Sequence, residues 1–338
     1  MKALPYEKIA LGHGSGGRLM HELIRGLLLK KFNNPILKEL SDSAVFALPG
    51  RLAFTTDSFV VSPLFFSGAD IGKLAVCGTI NDLVMSGAVP EYLSLGLIAE
   101  EGLDYRVLER VVNSLALYAR KSRVYFVTGD FKVVEKGACD KLFINISGIG
   151  RLVKGRRLCA RRIQPLDKVI ITGNIGQHGL AVLAGRKGMD LGFSIRSDCA
   201  ALDDLLLPLV QNTQAIKFMR DPTRGGVATT LNEIVQACGL GVIIDERKVP
   251  VSNKVKAAAE LLGIDPLYIA NEGVAILVVG PKSASSVVRR LRKHPLGRCA
   301  REIGVITKKP TAGVIINTIL GTQRILGMLT EEPLPRIC

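Results

Sequence analysis

In Val124-Tyr125-Phe126-Val127-Thr128-Gly129-Asp130, five β-branched and aromatic residues run into glycine and aspartate. That pattern predicts a buried strand ending at Gly129-Asp130. Before it, Tyr105 to Lys121 and Gly72 to Met85 have the spacing of helices. Leu52-Ala53-Phe54-Thr55-Thr56-Asp57 and Phe59-Val60-Val61 are β-rich, and after the first stretch Leu142 to Ile149 predicts another strand. Nearer the N-terminus, Leu23, Ile24, Leu27, Leu28 and Phe32 recur at helical spacing behind the glycine-rich Gly12-His13-Gly14-Ser15-Gly16-Gly17. Strands and helices mix here without the regular alternation of a parallel βαβ sheet, so an α+β arrangement with antiparallel strands is expected.

The second half repeats the mixture. Lys168-Val169-Ile170-Ile171-Thr172 predicts a strand entering Gly173-Asn174-Ile175-Gly176-Gln177-His178-Gly179 and a helix at Leu180 to Ala184. Helices at Gly226 to Cys238, Asn253 to Leu262 and Ser283 to Lys293 are expected among strands at Gly241 to Ile244, Val274 to Val279 and Ala300 to Thr307. The basic stretch from Arg151 to Arg162, closed by Pro165, is the expected domain junction. The division is therefore residues 1–155, 156–329 and a tail at 330–338.

A chain of 338 residues, 48% of them hydrophobic, can bury two cores. No apolar run reaches the roughly 18 residues that cross a bilayer and no signal-type stretch opens the sequence, so a cytoplasmic location without membrane attachment is expected. The net charge of +15 concentrates at 151–162 and in Arg289-Arg290-Leu291-Arg292-Lys293-His294. Such clusters can hold phosphates or nucleic acid, but no aromatic residue interleaves with the second cluster, which argues against a base-stacking surface and for no nucleic-acid partner.

Seven cysteines without a C-x-x-C pair describe neither a disulfide framework nor a zinc site. Only Cys338 stands where chemistry would find it. It closes Thr330-Glu331-Glu332-Pro333-Leu334-Pro335-Arg336-Ile337-Cys338, whose two prolines exclude a helix and favour an extended, tether-like backbone of roughly 3.1 Å per residue.

Asp42, Asp57, Asp82, Asp130 and Asp221 lie beside predicted strand ends or helix starts. Carboxylates are the oxygen ligands Mg²⁺ takes when it holds polyphosphate, although aspartate also caps helices and turns for purely local reasons. The loops at 12–17, 173–179 and 223–226 could present backbone N–H groups to an anion. There is no P-loop, no G-x-G-x-x-G and no G-x-S-x-G, and the four histidines are too dispersed to show a metal cluster.

Taken in order, Gly12-His13-Gly14-Ser15-Gly16-Gly17, Phe54-Thr55-Thr56-Asp57-Ser58, Gly78-Thr79-Ile80-Asn81-Asp82-Leu83, Val127-Thr128-Gly129-Asp130, Asp221-Pro222-Thr223-Arg224-Gly225-Gly226, Asn271-Glu272-Gly273 and Pro335-Arg336-Ile337-Cys338 resemble the HypE family of hydrogenase maturation proteins. That family shares a superfamily with aminoimidazole ribonucleotide synthetase and selenophosphate synthetase. The Pro-Arg-Ile-Cys ending is the most specific element.

The resemblance implies a two-domain PurM-like ATP-binding fold, with N-terminal domains paired into a β-barrel in a homodimer and a flexible C-terminal tail. It implies that Cys338 receives a carbamoyl group from the carbamoyltransferase HypF. ATP-dependent dehydration then leaves a thiocyanate, and the cyanide passes to iron on a HypC–HypD complex. Asp42, Asp57, Asp82 and Asp221 are the implied Mg²⁺ ligands; His13, Gly14, Ser15, Gly16, Asn81, Gly129, Asp130, Thr223, Arg224 and Gly225 are implied around ATP. Lys132, as a charge neutraliser, and Glu272, as a general base, are implied in the dehydration with Cys338. Phe131 stands where the family usually has threonine, and Val274 where it commonly has lysine. Another ATP-dependent enzyme of the superfamily that phosphorylates a small molecule is the alternative.

Overall fold

The computed structural model describes residues 6–186, 192–309, 313–329 and 336–338; of the expected tail, residues 330–335 lie outside this set. The first half is built on β1 (Leu52–Phe59), α1 (Ile71–Met85), β2 (Ala88–Glu100), α2 (Tyr105–Lys121), β3 (Tyr125–Val134) and β4 (Leu142–Leu152). The strands form a four-stranded sheet in the order β1-β4-β2-β3. All its pairs are antiparallel except β2 with β3.

Two expectations change. The strand read as ending at Gly129-Asp130 runs on to Val134, because β2 offers a parallel partner along its length, Leu95 opposite Gly129 and Glu100 opposite Val134. A Cβ on Gly129 would come 2.6 Å from the Leu95 carbonyl oxygen, so here glycine permits close strand approach and does not stop the strand. Being an edge strand, β3 also leaves Tyr125 53% exposed. The thirteen-residue β2, the longest strand, was not expected at all: Pro90 near its start and Gly96 at its middle break the propensity pattern that the sheet interior overrides.

The helical N-terminal stretch forms as Arg18–Leu23, a π-helical turn Ile24–Leu28 and Leu29–Phe32. Helix α1 covers β1, β2 and β4 on one side, with α2 packed against it. The opposite face carries Leu52, Phe54 and Ile98 with 43%, 69% and 41% exposure. The four strands stay open and form no closed barrel within the chain.

The second half comprises β5 (Lys168–Ile171), α3 (Gln177–Ala184), α4 (Asp203–Asn212), β6 (Ile216–Arg220), α5 (Gly226–Cys238), β7 (Gly241–Asp245), α6 (Asn253–Leu262), β8 (Ile276–Val279), α7 (Ala284–Arg292), β9 (Arg301–Thr307), β10 (Val314–Asn317) and β11 (Gln323–Ile325). Its seven-stranded sheet runs β11-β10-β7-β9-β5-β8-β6, antiparallel except for β7 with β10. Side chains alternate across it. Ile170 joins a core shared with α1, α2 and α4, while its neighbours Val169 and Ile171 join a second core under Val227, Leu231 and Ile234 of α5. The first core is continuous between the two halves, which sets β1 and α1 firmly against the loops of the second sheet.

The basic stretch near residue 156 is bound into the second half. Arg156 donates to the carbonyl of Gln211 and Arg162 to those of Gln214 (3.0 Å) and Arg157 (2.7 Å), so these cations satisfy chain ends between α4 and β6.

Candidate functional site

Burial alternates along β1: Ala53, Thr55, Asp57 and Phe59 turn inward and Leu52, Phe54, Thr56 and Ser58 outward. Asp57 therefore faces α1, where Asp82 lies one turn after Gly78. Asp82 accepts from Thr55 Oγ1 at 2.7 Å. Gly78 carries no side chain, and a Cβ there would sit 3.7 Å from Glu272 Oε2 and 3.2 Å from the Phe59 ring, so Glu272 reaches over the helix at this point. From the other side, β6 ends in Arg220 and delivers Asp221. Behind it Thr223 and Arg224 lead through the left-handed Gly225 (φ +71°) into the N-terminus of α5.

These groups line one cavity of about 800 Å³ between the two sheets, and Cys338 lines it with them. The last three residues are seated. Val60 N–H donates to the Cys338 oxygen and Ser62 N–H to that of Arg336, both at 3.2 Å, and the Ile337 side chain is buried.

Four carboxylates face one another here with Arg224 as a cation among them. Burial first, and then the Asp82 carboxylate with which it shares a hydrogen bond, push Asp57 up to about 7, while Arg224 pulls the other way. Burial and Asp82 push Asp221 up to about 7 as well. Glu272, 4% exposed, is held well above the ordinary carboxylate range by burial and by Asp221, Asp198 and Asp57. Asp198 Oδ2 accepts from the N–H groups of Glu272 (2.9 Å) and Gly273 (2.8 Å), fixing that backbone.

Raised folded-state values mean that the native state holds more protons than the unfolded one between the two values. For Asp57 and Asp221, stability is full below about pH 4 and falls as pH rises to about 7. A divalent cation should offset this. Millimolar Mg²⁺ is expected to raise Tm by roughly 3 °C or more at pH 8 and much less at pH 5. Equal shifts at both pH values in a thermal melt would contradict the carboxylate assignment.

Of the residues singled out in the sequence, Asp57, Asp82, Asp221, Thr223, Arg224, Glu272 and Cys338 share this cavity. Gly225 turns the chain beside it, and Asn81 lies beneath it. The Asn81 side chain is spent on structure: Nδ2 donates to the carbonyls of Ala200 (3.1 Å) and Glu272 (3.3 Å), and Oδ1 accepts from Leu202 N–H at 2.8 Å.

A second group gathers on the far edge of the first sheet. Gly14 packs on the backbone at Lys132-Val133, a place that a Cβ would fill. His13 is buried and accepts from Ala10 N–H at 3.0 Å, with Ser15 and Gly16 exposed beside it. Lys132 pairs with Asp130 at 3.1 Å, both more than half exposed, and Gly129 lies on the same strand. Since β1 and β3 are the two edges of the sheet, three strand spacings or about 14 Å separate the groups. Asp42 sits on an exposed bend and joins neither group.

Phe131 and Val274 each bury their side chain in a core, at 1% exposure, and neither projects into the cavity. Among the described residues no set of three or more His, Cys, Asp and Glu stands at metal-ligand spacing. No helix among them is long and apolar enough to cross a membrane. His178, Asp198 and Asp140, which touch the tail or the Glu272 backbone, carried no signal in the sequence, since their meaning comes only from long-range contacts.

The halves match two family models, AIR synthase related protein, N-terminal domain, over residues 40–152, and its C-terminal domain over 164–317. The chain is 44% identical over 333 residues to carbamoyl dehydratase HypE of Cupriavidus necator, covering 98% of this chain and 95% of that protein. It superposes with a TM-score of 0.94, at 45% identity, on a crystal structure of hydrogenase maturation protein HypE in complex with ATP, covering 97% of this chain and 99% of that one. A HypE–HypF complex structure matches at a TM-score of 0.80 and 43% identity, over 93% and 100% of the two chains. With its PurM-like two-domain α+β fold, this chain belongs to the HypE family of carbamoyl dehydratases.

Proposed function

We propose that this chain converts a carbamoyl group carried on its own Cys338 into a thiocyanate at the expense of ATP, supplying cyanide for the iron of a [NiFe] hydrogenase. What supports this most is the position of Cys338, which lines the same cavity as Glu272 and the three aspartates Asp57, Asp82 and Asp221. Dehydrating a primary amide requires its oxygen to become a leaving group. Transfer of the γ-phosphoryl group to that oxygen does this; phosphate then departs, the nitrogen gives up two protons and S–C≡N remains on the cysteine. Glu272 is the proposed acceptor of amide protons, its raised basicity suiting it to the task.

Mg²⁺ fits the donor set. It characteristically binds through one or two carboxylates together with substrate phosphates and water, so a facing pair such as Asp57 and Asp82 suffices without a full protein cage. It would supply neutralisation of phosphate charge, with Asp221 and, from elsewhere, Asp42 as further proposed ligands. Thr223, Arg224, Gly225 and the start of α5 are suited to phosphate.

The second group, His13 to Gly16 with Gly129, Asp130 and Lys132, is proposed to complete the ATP site across a homodimer. The uncovered apolar face bearing Phe54 and Ile98 is what a second copy would bury, closing the two open sheets into a barrel and bringing the β3 edge of one copy towards the β1 edge of the other. A division at residues 155/156, with the segment after 329 moving between partner and cavity, suits this cycle. HypF is the proposed source of the carbamoyl group and a HypC–HypD complex the proposed acceptor of cyanide, in the cytoplasm.

Incubation with the carbamoyltransferase, carbamoyl phosphate, ATP and Mg²⁺ should add one carbamoyl group to the intact protein and then remove one water. A mass that never changes would overturn the proposal.

A further inference from the structure

We infer that Asp140 and His178 form a latch that recognises the Arg336 side chain and the Ile337 carbonyl, and so sets the register in which Cys338 enters the cavity. The latch rests on the reading of Cys338 as the carrier and adds two positioning residues to it. Neither touches the reacting group.

The last three residues add themselves antiparallel to the segment that follows β1, since the N–H of Val60 meets the oxygen of Cys338 and the N–H of Ser62 that of Arg336. Two main-chain bonds alone do not fix a register, because a strand can slip. A slip of one residue would turn every side chain to the other face, lifting Ile337 out of the core and Cys338 away from the cavity. Contacts to individual residues prevent this.

The first is on Arg336. Its Nη1 donates to Asp140 Oδ2 at 2.9 Å and its Nε to the Val60 carbonyl at 3.0 Å, with the guanidinium 5.9 Å from the Phe143 ring centroid. Asp140 is itself held by Ser62 Oγ at 3.3 Å, on the very segment the tail pairs with. Arg336 has φ +55°, a backbone state that a non-glycine residue keeps only when its surroundings impose it.

The second contact is on Ile337. Its carbonyl accepts from His178 Nε2 at 2.7 Å, and a carbonyl can only accept, so Nε2 carries the proton. Burial keeps the ring neutral, pushing its pKa down to about 4. Nδ1 is then the acceptor, receiving the Ser197 hydroxyl at 2.9 Å. Ser197 Oγ in turn accepts from Cys199 N–H at 3.0 Å, which fixes the hydroxyl and through it the imidazole. With the tautomer and the hydroxyl fixed in this way, Nε2–H recognises a main-chain oxygen that any residue at 337 would offer, while the Arg336–Asp140 pair reads the side chain beside it.

The test uses the full-length protein and two readouts. Alkylation of Cys338 by iodoacetamide, located by mass spectrometry, needs no turnover and reports exposure of the thiol; single-turnover dehydration of loaded protein reports its delivery. Asp140→Arg is expected to speed alkylation and slow dehydration by about two- to fivefold, and Arg336→Asp to do the same. Combining the two restores the ion pair with its ends exchanged and should recover most of the loss. His178→Leu should behave like the single charge variants, whereas His178→Gln, which keeps an N–H donor, should lie between it and wild type. Unchanged alkylation in Asp140→Arg and His178→Leu, or a double charge variant no better than its parents, would overturn the latch. Because alkylation is independent of carbamoyl chemistry, it separates failure of the latch from failure of the carrier role, which would show as wild-type protein that is never loaded.

Discussion

Cys338→Ser is expected to reduce carbamoyl loading at least about a thousandfold while the variant keeps its fold and seats its tail. The seat does not depend on sulfur: Val60 N–H holds the main-chain oxygen of residue 338, His178 holds that of Ile337, and Ile337 is buried at 3% exposure. Serine fits the same space. What it lacks is a usable nucleophile, because a few per cent of an ordinary thiol is ionised at neutral pH whereas a hydroxyl is essentially never ionised there. The measurement is intact mass after incubation with transferase, carbamoyl phosphate and ATP, beside a thermal melt of the same sample. A serine variant that is loaded at even a tenth of the wild-type rate would show that the acceptor is elsewhere, and the buried Cys77 and Cys199 would then be the next thiols to test.

What the sequence made legible divides along physical lines. Elements with strong local signatures fell where expected: α2 at Tyr105–Lys121, α5 at Gly226–Cys238 and α6 at Asn253–Leu262 have helical spacing, and two of them end against a glycine at 239 or 263 in the left-handed conformation. The strands β2, β6, β10 and β11 were not visible. β2 does alternate in burial, but Pro90 and Gly96 interrupt its strand propensity, while β6, β10 and β11 are only three to five residues long, too short for a period to show. The cavity was partly legible because its acidic residues sit beside glycines in short, unusual motifs, and the family resemblance supplied their joint meaning. Asn81 shows the limit of that method. The motif resemblance implies a place near a nucleotide, and what it could not show is that the amide ties α1 to the loop at Ala200–Leu202 and to Glu272. Nor could the sequence tell that Asp130 and Lys132 would lie on the opposite edge of the sheet from Asp57, because that depends on strand order, which no local pattern encodes.

Glu272→Gln should abolish most of the dehydration and yet make the protein more stable, a combination that a merely structural glutamate would not give. The side chain is 4% exposed, and burial together with Asp221, Asp198 and Asp57 disfavours its charge, so its folded-state pKa lies above its unfolded one. The sign of the linkage follows. Stability is complete in acid, where the carboxyl is protonated in both states, and is lost as pH rises through the range where only the unfolded state ionises. Glutamine carries no charge at any pH, so the variant should match wild type near pH 4 and exceed it in Tm at pH 8. In the proposed reaction, cationic charge brought into the cavity with the nucleotide offsets this penalty and leaves Glu272 as the carboxylate that accepts an amide proton; loss of a general base slows a step by about a hundred- to ten-thousandfold. A cost in stability set against a gain in rate is the pairing expected of a group at a functional site. Thermal melts at pH 4 and pH 8 and single-turnover dehydration of the loaded variant measure the two effects independently. A variant that dehydrates at the wild-type rate would remove Glu272 from the reaction, and one that gains no stability at pH 8 would show that its carboxylate is not held against its neighbours in the way the cavity implies.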